Sequence, residues 1–214
     1  MPLIVFDLDG TLIDSRRDLA DAANALIAER GGTPLSEEAV GRMVGDGAAM
    51  LVRRALTAAG LTPDDASLPR FLALYDERLV QTTRPYPGMR DALMAIQSLG
   101  VLAVLTNKPL DPSERLLRAL HLAPFFATVV GGDGPFPRKP DPQGLRHLMT
   151  THAVPPDRTI LVGDSWIDAA TATSAGTRFC LARYGFGADE APSAADTAVE
   201  TPADLPAALA PLLR

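Results

Sequence analysis

A short apolar run near the start of the chain, ending in two carboxylates, constrains the fold more than any other feature. Residues 2–6 read Pro-Leu-Ile-Val-Phe, and Asp7 and Asp9 follow with one leucine between them. An unbroken apolar run of this length that ends at a turn indicates a strand covered on both faces. In open α/β sheets, ligands bind at the carboxyl ends of the strands. The pattern therefore predicts a buried strand that delivers Asp7 and Asp9 to a ligand site.

Further apolar runs predict more strands in the second half of the chain. Residues 101–105, 159–162 and 178–182 are strongly apolar, and stretches with helical spacing separate them. Strands that alternate with helices at this spacing imply βαβ units and a parallel sheet. We therefore expect an α/β fold with a Rossmann-like parallel sheet core.

The segment between the first strand and the rest of the core has a different pattern. Residues 15–84 carry apolar side chains at helical spacing, with no convincing strand, and the breaker cluster Pro-Tyr-Pro-Gly follows at 85–88. The pattern predicts an all-helical domain, residues 15–84, inserted after the first strand. The α/β core then comprises residues 1–14 and 85–214.

Polar signatures follow two other predicted strands. Thr106 and Asn107 come directly after the second apolar run, Asp164 follows the third, and Asp168 lies four residues further on. Lys139 lies between these two signatures. Because the carboxyl ends of parallel strands meet at one edge of a sheet, we expect these side chains to converge with those of the first strand.

The charges at this edge predict the kind of ligand. Four carboxylates crowded together repel, and such a cluster persists only if some are protonated or a cation lies among them. Carboxylate oxygens suit Mg²⁺, which takes one or two protein carboxylates together with substrate phosphate oxygens. Hydroxyl, amide and ammonium donors at the same edge suit an anion. These groups predict a site for a phosphate bridged to Mg²⁺.

The chain resembles the haloacid dehalogenase superfamily of aspartate-nucleophile phosphatases. The resemblance covers nearly the whole chain and rests on four motifs in the family's order and approximate spacing. Each motif is weak alone, since Asp, Asn and Gly also form ordinary turns and helix caps. The motifs are Asp7-Leu-Asp9-Gly-Thr11, Thr106-Asn107, Lys139-Pro140 and Gly163-Asp164-Ser165-Trp-Ile-Asp168.

The resemblance implies separate roles for the first two acids. Asp7 matches the family's nucleophile, which attacks phosphorus to form an aspartyl-phosphate. Asp9 matches the general acid/base, which protonates the leaving oxygen and then activates water. Asp7, Asp9 through its backbone carbonyl, and Asp164 match the metal ligands.

The resemblance also assigns the phosphate-binding groups. Thr106, Asn107 and Lys139 match the residues that bind the phosphate, and Lys139 also offsets charge on the nucleophile. Asp168 matches a residue that orients this lysine or holds a metal-bound water. Lys108 matches no such role, and we expect it to be solvated.

The inserted helices match a mobile cap that closes over the site in the family, so specificity is expected there. Gly45, Asp46 and Gly47 are the candidate cap contacts to substrate, because glycine permits close approach of the backbone. Together with residues 54–56 and 131–133, this loop resembles those of phosphoglycolate phosphatases.

The expected function is Mg²⁺-dependent hydrolysis of a small phosphorylated metabolite through an aspartyl-phosphate, with 2-phosphoglycolate as a candidate substrate. An acid at Asp9 favours phosphoryl transfer, because family members that cleave carbon–halogen bonds lack it. Two alternatives stay open: a sugar-phosphate mutase of the same fold, and a catalytically silent binding or regulatory protein.

Composition argues against some classes of binding partner. The net charge is −6 with no basic run, which argues against nucleic acid or an anionic membrane surface as a partner. A single cysteine, Cys180, indicates a reducing compartment, and no apolar stretch approaches the roughly 20 residues of a membrane span. We expect a cytoplasmic protein without nucleic-acid or membrane partners, and the sequence leaves its oligomeric state undetermined.

Overall fold

Eight strands form two sheets in this computed structural model, which describes residues 1–187 and 195–213. Six strands form one parallel sheet, and the other two form a short antiparallel ribbon. In chain order the strands are β1 (Leu3–Phe6), β2 (Ile13–Asp14), β3 (Arg84–Pro85), β4 (Val101–Leu105), β5 (Thr128–Val130), β6 (Thr159–Gly163), β7 (Arg178–Ala182) and β8 (Thr197–Val199).

Helices lie between the strands and in the segment after β2. Four of them separate β2 from β3, and the other five follow β3. They are α1 (Arg16–Glu29), α2 (Glu37–Gly41), α3 (Ala48–Ala58), α4 (Ser67–Asp76), α5 (Met89–Ile96), α6 (Leu110–Ala119), α7 (Gln143–Thr151), α8 (Trp166–Ala175) and α9 (Leu205–Leu209). No helix among the described residues is long and apolar enough to cross a membrane.

The central strand of the parallel sheet is β1. The strand order is β5-β4-β1-β6-β7-β8, and Phe6 at the end of β1 is level with Val104 on one side and Val162 on the other. All four β1 side chains are fully buried, as the unbroken apolar run predicts. The parallel α/β core is therefore confirmed, and the ends of β1, β4 and β6 lie side by side.

Side chains of β1 alternate between two apolar cores. Ile4 and Phe6 pack into the larger core, and Leu3 and Val5 pack into the smaller core on the other face. This alternation follows from the two-residue period of a strand. Both faces of the sheet are covered, so β1 cannot shift without unpacking both cores.

The insert between β2 and β3 is helical, as predicted. In α1 the residues at helical spacing, among them Leu19, Leu26 and Ile27, are buried and join the larger core. The β2–β3 ribbon was not predicted, and residue 84, which the sequence placed in the all-helical segment, lies in β3. Strands of two residues are too short to produce a recognisable periodicity.

Asp18 in α1 ties the beginning of the insert to its end. Its carboxylate accepts hydrogen bonds from the backbone N–H groups and hydroxyls of Thr82 and Thr83, at 2.6–3.1 Å. The two chain segments that join the helical insert to the sheet core are therefore held together by one buried carboxylate.

Candidate active site

Asp7 continues β1 into the predicted site. Its backbone N–H still donates to the carbonyl of Val162 at 2.9 Å, so the sheet fixes its position. Its carboxylate lies 2.8 Å from Nζ of Lys139, whose side chain is 2% exposed. The same Nζ donates to Oδ1 of Asp168 at 2.6 Å. One buried ammonium therefore joins two carboxylates from distant parts of the chain.

Asp164 completes the acid cluster from the end of β6. Its carboxylate accepts hydrogen bonds from the Thr11 hydroxyl at 3.1 Å and the Gly187 N–H at 2.8 Å. Gly10 has a φ of +90°, and a Cβ there would lie 2.2 Å from Oδ2 of Asp164. Only glycine permits both this backbone conformation and this close approach.

The acid cluster, which we define as Asp7, Asp164 and Asp168, fits a divalent cation. One carboxylate oxygen from each residue lies within 4.8 Å of the others, and all three residues are buried. Burial raises the pKa of Asp7 to about 7, with Lys139 lowering it and Asp168 raising it. Burial, Asp168 and Asp7 raise the pKa of Asp164 well above its usual range. The positive groups of the protein therefore do not fully neutralise the carboxylates of the acid cluster.

The three acids differ in the groups that already contact their carboxylate oxygens. Both oxygens of Asp168 are already engaged, one by Lys139 and the other by the backbone N–H and hydroxyl of Ser165. This places Asp168 beside the predicted lysine, where it orients the ammonium. Oδ1 of Asp7 is paired with Lys139, and each oxygen of Asp164 accepts one hydrogen bond from an uncharged donor. Asp164 therefore has no cation of its own among the described residues, and Asp7 and Asp164 are the better donors for a metal ion.

Asp9 has a different set of partners from Asp7. Its carboxylate accepts a hydrogen bond from the Ser15 hydroxyl at 2.5 Å and lies 3.0 Å from Nζ of Lys108. The expectation that Lys108 is solvated is wrong, because its side chain is 6% exposed. Its Nζ also lies 4.5 Å from the ring centroid of Tyr75 in α4. The lysine follows β4 closely, so its side chain reaches the sheet edge where Asp9 lies.

Thr106 and Asn107 lie at the end of β4, and both are buried. Nδ2 of Asn107 donates to the carbonyls of Gly45 and Lys139 at 2.8 and 2.9 Å, and Oδ1 accepts from the Lys139 N–H at 2.8 Å. The Thr106 hydroxyl accepts from the N–H of Lys108 at 3.2 Å. The Asn107 side chain thus fixes the lysine segment and joins it to the insert, and a phosphate contact through its amide requires one of these bonds to break.

A cavity of about 50 Å³ lies between the helical insert and the end of the sheet. Gly45 and Gly47, two of the three predicted cap contacts, line it. The third, Asp46, forms an ion pair with Arg54 at 2.6 Å and lines a separate cleft. The other lining residues are Asp7, Asp9, Leu19, Val44, Ala48, Leu51, Phe71, Leu72, Tyr75, Thr106, Asn107, Lys108, Pro109 and Pro112.

The structure brings together most of the predicted residues, and adds three. Phe71 in α4 is buried and also lines the cavity. Lys108 and Tyr75 were not predicted as site residues. A lysine directly after Thr106-Asn107 at a strand end was the one signal that could have indicated Lys108.

The arrangement has the chemistry for phosphoryl transfer. A buried carboxylate, Asp7, faces an ammonium and two further acids, and a second carboxylate, Asp9, lines the same cavity. The first can attack phosphorus while the second exchanges a proton with the leaving group. A divalent cation and Lys139 can offset the charge that a phosphate brings to an acidic site.

Comparisons with known proteins agree with this chemistry. Residues 4–182 match the model of the haloacid dehalogenase-like hydrolase family. The phosphoglycolate phosphatase of Rhodospirillum rubrum is 43% identical over 205 residues, which cover 92% of this chain and 85% of the relative. The phosphoglycolate phosphatase of Pseudomonas putida is 41% identical over 191 residues, covering 86% of this chain and 70% of the relative.

Solved structures give the same picture. A predicted phosphoglycolate phosphatase from Haemophilus somnus 129PT superposes with a TM-score of 0.90 and 30% identity, covering 96% of both chains. CbbY from Rhodobacter sphaeroides, solved in complex with phosphate, superposes with a TM-score of 0.80 and 25% identity, also covering 96% of both chains.

Proposed function

The chain belongs to the haloacid dehalogenase-like hydrolase family and is a phosphatase, and from this premise we propose that it hydrolyses 2-phosphoglycolate with Mg²⁺ through an aspartyl-phosphate on Asp7. The single observation that carries the proposal is the buried ammonium of Lys139, 2.8 Å from Asp7 and 2.6 Å from Asp168, beside the acid cluster. Such a group favours the ionised form of the carboxylate nucleophile and offsets charge on an incoming phosphate. The names of the two relatives support the choice of substrate.

The residues present fit a Mg²⁺ ion. Asp7 and Asp164 would hold it through their carboxylates, and Asp9 would add its backbone carbonyl. When bound, the ion offsets negative charge on the phosphate oxygens and on the nucleophile. The raised pKa of Asp164 in the protein alone supports this assignment, because burial of uncompensated carboxylates favours a cation at the site.

In the first step, an oxygen of Asp7 forms a bond to phosphorus as the bond from phosphorus to the substrate's ester oxygen breaks. Asp9 gives its proton to that oxygen, which leaves as an alcohol. Because transition states for phosphoryl transfer are loose, positioning and charge compensation dominate the rate. Lys139 and the Thr106 hydroxyl supply positive potential around the phosphoryl oxygens.

In the second step, water attacks phosphorus and releases Asp7 as a free carboxylate. Asp9, now ionised, takes a proton from the attacking water and is ready for another cycle. Inorganic phosphate leaves. The Lys108 ammonium and the Ser15 hydroxyl both contact the Asp9 carboxyl group and hold it in place for both proton transfers.

We further propose that residues 15–84 act as a cap over a catalytic core of residues 1–14 and 85–214. The β2–β3 ribbon and the Asp18 carboxylate join the two at one point, where a hinge would lie. Closure brings Gly45 and Gly47 against the core and excludes water from the cavity.

A panel of phosphorylated metabolites, assayed for phosphate release with and without Mg²⁺, tests the proposal. We expect Mg²⁺-dependent release, with 2-phosphoglycolate among the best substrates, and none from an Asp7→Asn variant. A rearranged sugar phosphate as the product would instead indicate a mutase. Absence of turnover on the whole panel would indicate a binding protein, and metal-independent release would contradict the mechanism.

A further inference from the structure

Two buried phenols in the described part of the chain have hydroxyls without a hydrogen-bond partner, Tyr75 and Tyr86. Only the first of these lines the cavity between the insert and the sheet. Leaving a buried hydroxyl unpaired costs free energy, so an orphan phenol at a ligand cavity calls for a ligand that would pair it. Tyr75 comes from α4 and is 4% exposed.

Lys108 lies next to this phenol. Its Nζ is 4.5 Å from the Tyr75 ring centroid and 3.0 Å from Asp9. Among the described residues that line the cavity, it is the one with a positively charged side chain. An ammonium has three donors, and the Asp9 carboxylate does not exhaust them.

The rest of the cavity wall limits what can occupy it. The walls that the insert supplies are mostly apolar, including Leu19, Leu51 and Phe71. The cavity is small, and the phosphate at Asp7 takes part of it. A short group with one negative end fits these walls, because its charge can meet Lys108 while its carbon atoms contact the apolar side chains.

We propose that the Lys108 ammonium and the Tyr75 hydroxyl together bind a carboxylate on the non-phosphate part of the substrate. The proposal rests on the proposed function, since it takes phosphate at Asp7 as given. The substrate class is then the phosphate esters of short hydroxy acids, with the phosphate at one end of the cavity and the carboxylate at the other. Asp7 and Lys108 both line this one cavity, as this arrangement requires.

Carboxylate binding at these two side chains would also couple substrate recognition to closure of the helical insert over the core. Tyr75 belongs to the helical insert, and Lys108 follows β4 in the sheet core. A carboxylate held by both side chains would connect the two parts of the molecule. Burial raises the pKa of Tyr75 to about 12, so the phenol retains its proton and can donate it to an anion in a hydrogen bond.

The test compares 2-phosphoglycolate with ethyl phosphate, which has the same two-carbon length but no carboxylate. We expect the Tyr75→Phe variant to lower kcat/KM for 2-phosphoglycolate about tenfold more than for ethyl phosphate, the loss expected for one hydrogen bond to a charged group. The matched control is Tyr86→Phe, which removes the other orphan hydroxyl outside the cavity. For this control, the ratio of kcat/KM for 2-phosphoglycolate to kcat/KM for ethyl phosphate should equal that of the wild type.

Equal losses for both substrates in Tyr75→Phe would overturn the proposal. The variant should fold, because it removes one hydroxyl and keeps the ring beside Lys108, and an unchanged melting temperature checks this. A KM effect confined to 2-phosphoglycolate, with little change in kcat, distinguishes recognition from a general disturbance of the site.

Binding to proteins that carry Asp7→Asn separates this proposal from the proposed function. Calorimetry should show tighter binding of 2-phosphoglycolate than of ethyl phosphate. Tyr75→Phe should reduce the ratio of the two affinities about tenfold. If the wild-type enzyme hydrolyses neither compound but this preference is present, the proposed function fails and the carboxylate site stands. If both are hydrolysed and no preference exists, the carboxylate site is wrong.

Discussion

The acid cluster and the cavity meet at Asp7 but are built in opposite ways. The cluster consists of buried charged groups at strand ends and on the first turn of a helix, with Lys139 bonded to two carboxylates. The cavity has many apolar lining residues, and Lys108 and Tyr75 are among its polar ones. The first region can act on the phosphate of any ester, and the second can distinguish what the phosphate is attached to.

The two buried lysines express the same contrast. The buried ammonium of Lys139 contacts two carboxylates. Burial lowers its pKa, but Asp168 and Asp7 outweigh burial and raise it. Lys108 shares its burial with an aromatic ring and one acid. A lysine between two acids compensates charge during chemistry, whereas a lysine with one acid and unused donors can also bind a ligand.

The largest expected effect comes from removing the nucleophile. An Asp7→Asn variant keeps the shape of the side chain but cannot form the aspartyl-phosphate, so kcat should fall by about 10⁴-fold or more on every ester. Steady-state phosphate release measures this, with the exposed Asp21→Asn as control. Activity within tenfold of the wild type would remove Asp7 from the mechanism.

Removing Lys139 should affect all substrates equally. A Lys139→Met variant leaves Asp7 and Asp168 buried without a cation, which should lower the free energy of unfolding by about 3–5 kcal/mol. Its kcat/KM should fall by similar factors for 2-phosphoglycolate and ethyl phosphate. In contrast, Lys108→Met should lose more on 2-phosphoglycolate. If the two variants gave the same substrate profile, the division between cluster and cavity would be wrong.

Metal binding should act on the acid cluster alone. Mg²⁺ at about 100 times its Kd should stabilise the wild type by about 2.7 kcal/mol, and chelation should reverse this. Differential scanning calorimetry measures the change without any substrate. Asp164→Asn should lose most of the stabilisation, whereas the exposed control Asp111→Asn should keep it. Equal responses in both variants would place the metal elsewhere.

We expect the smallest effect from substituting Asp18, which links the two chain segments that connect the helical insert to the sheet core. Burial alone would raise the pKa of Asp18, but hydrogen bonds from Thr82 and Thr83 outweigh it and lower the pKa. With the folded pKa below the unfolded value of about 3.9, the carboxylate stabilises the protein above that pH, and the contribution is lost as pH falls through the folded pKa. Asp18→Asn should therefore cost about 1–3 kcal/mol at pH 7.

Melting temperatures of the wild type and Asp18→Asn, measured from pH 7 to about pH 3, check this prediction. The difference between them should narrow as pH falls below about 4. Because Asp18 lies in neither the acid cluster nor the cavity lining, kcat/KM should change by the same factor for 2-phosphoglycolate and ethyl phosphate. A difference that widened towards acid pH would show that the carboxylate does not stabilise the fold.

The sequence revealed the acid cluster far better than the cavity. Asp7 and Asp164 each follow a buried apolar run, and a parallel sheet necessarily brings such strand ends together. Lys108 and Tyr75 meet only because the ring of Tyr75 in α4 lies beside the side chain of Lys108, a contact between distant segments with no local pattern. The β2–β3 ribbon was missed for a related reason, since its two-residue strands have no periodicity.

The covalent intermediate is the central claim, and trapping it is the most direct test. The enzyme, mixed with Mg²⁺ and 2-phosphoglycolate, is quenched during turnover, treated with borohydride, and digested for mass spectrometry. Reduction converts an aspartyl-phosphate into homoserine, which we expect at position 7 alone. Rapid turnover without any modification at Asp7, or modification of a different acid, would contradict the account.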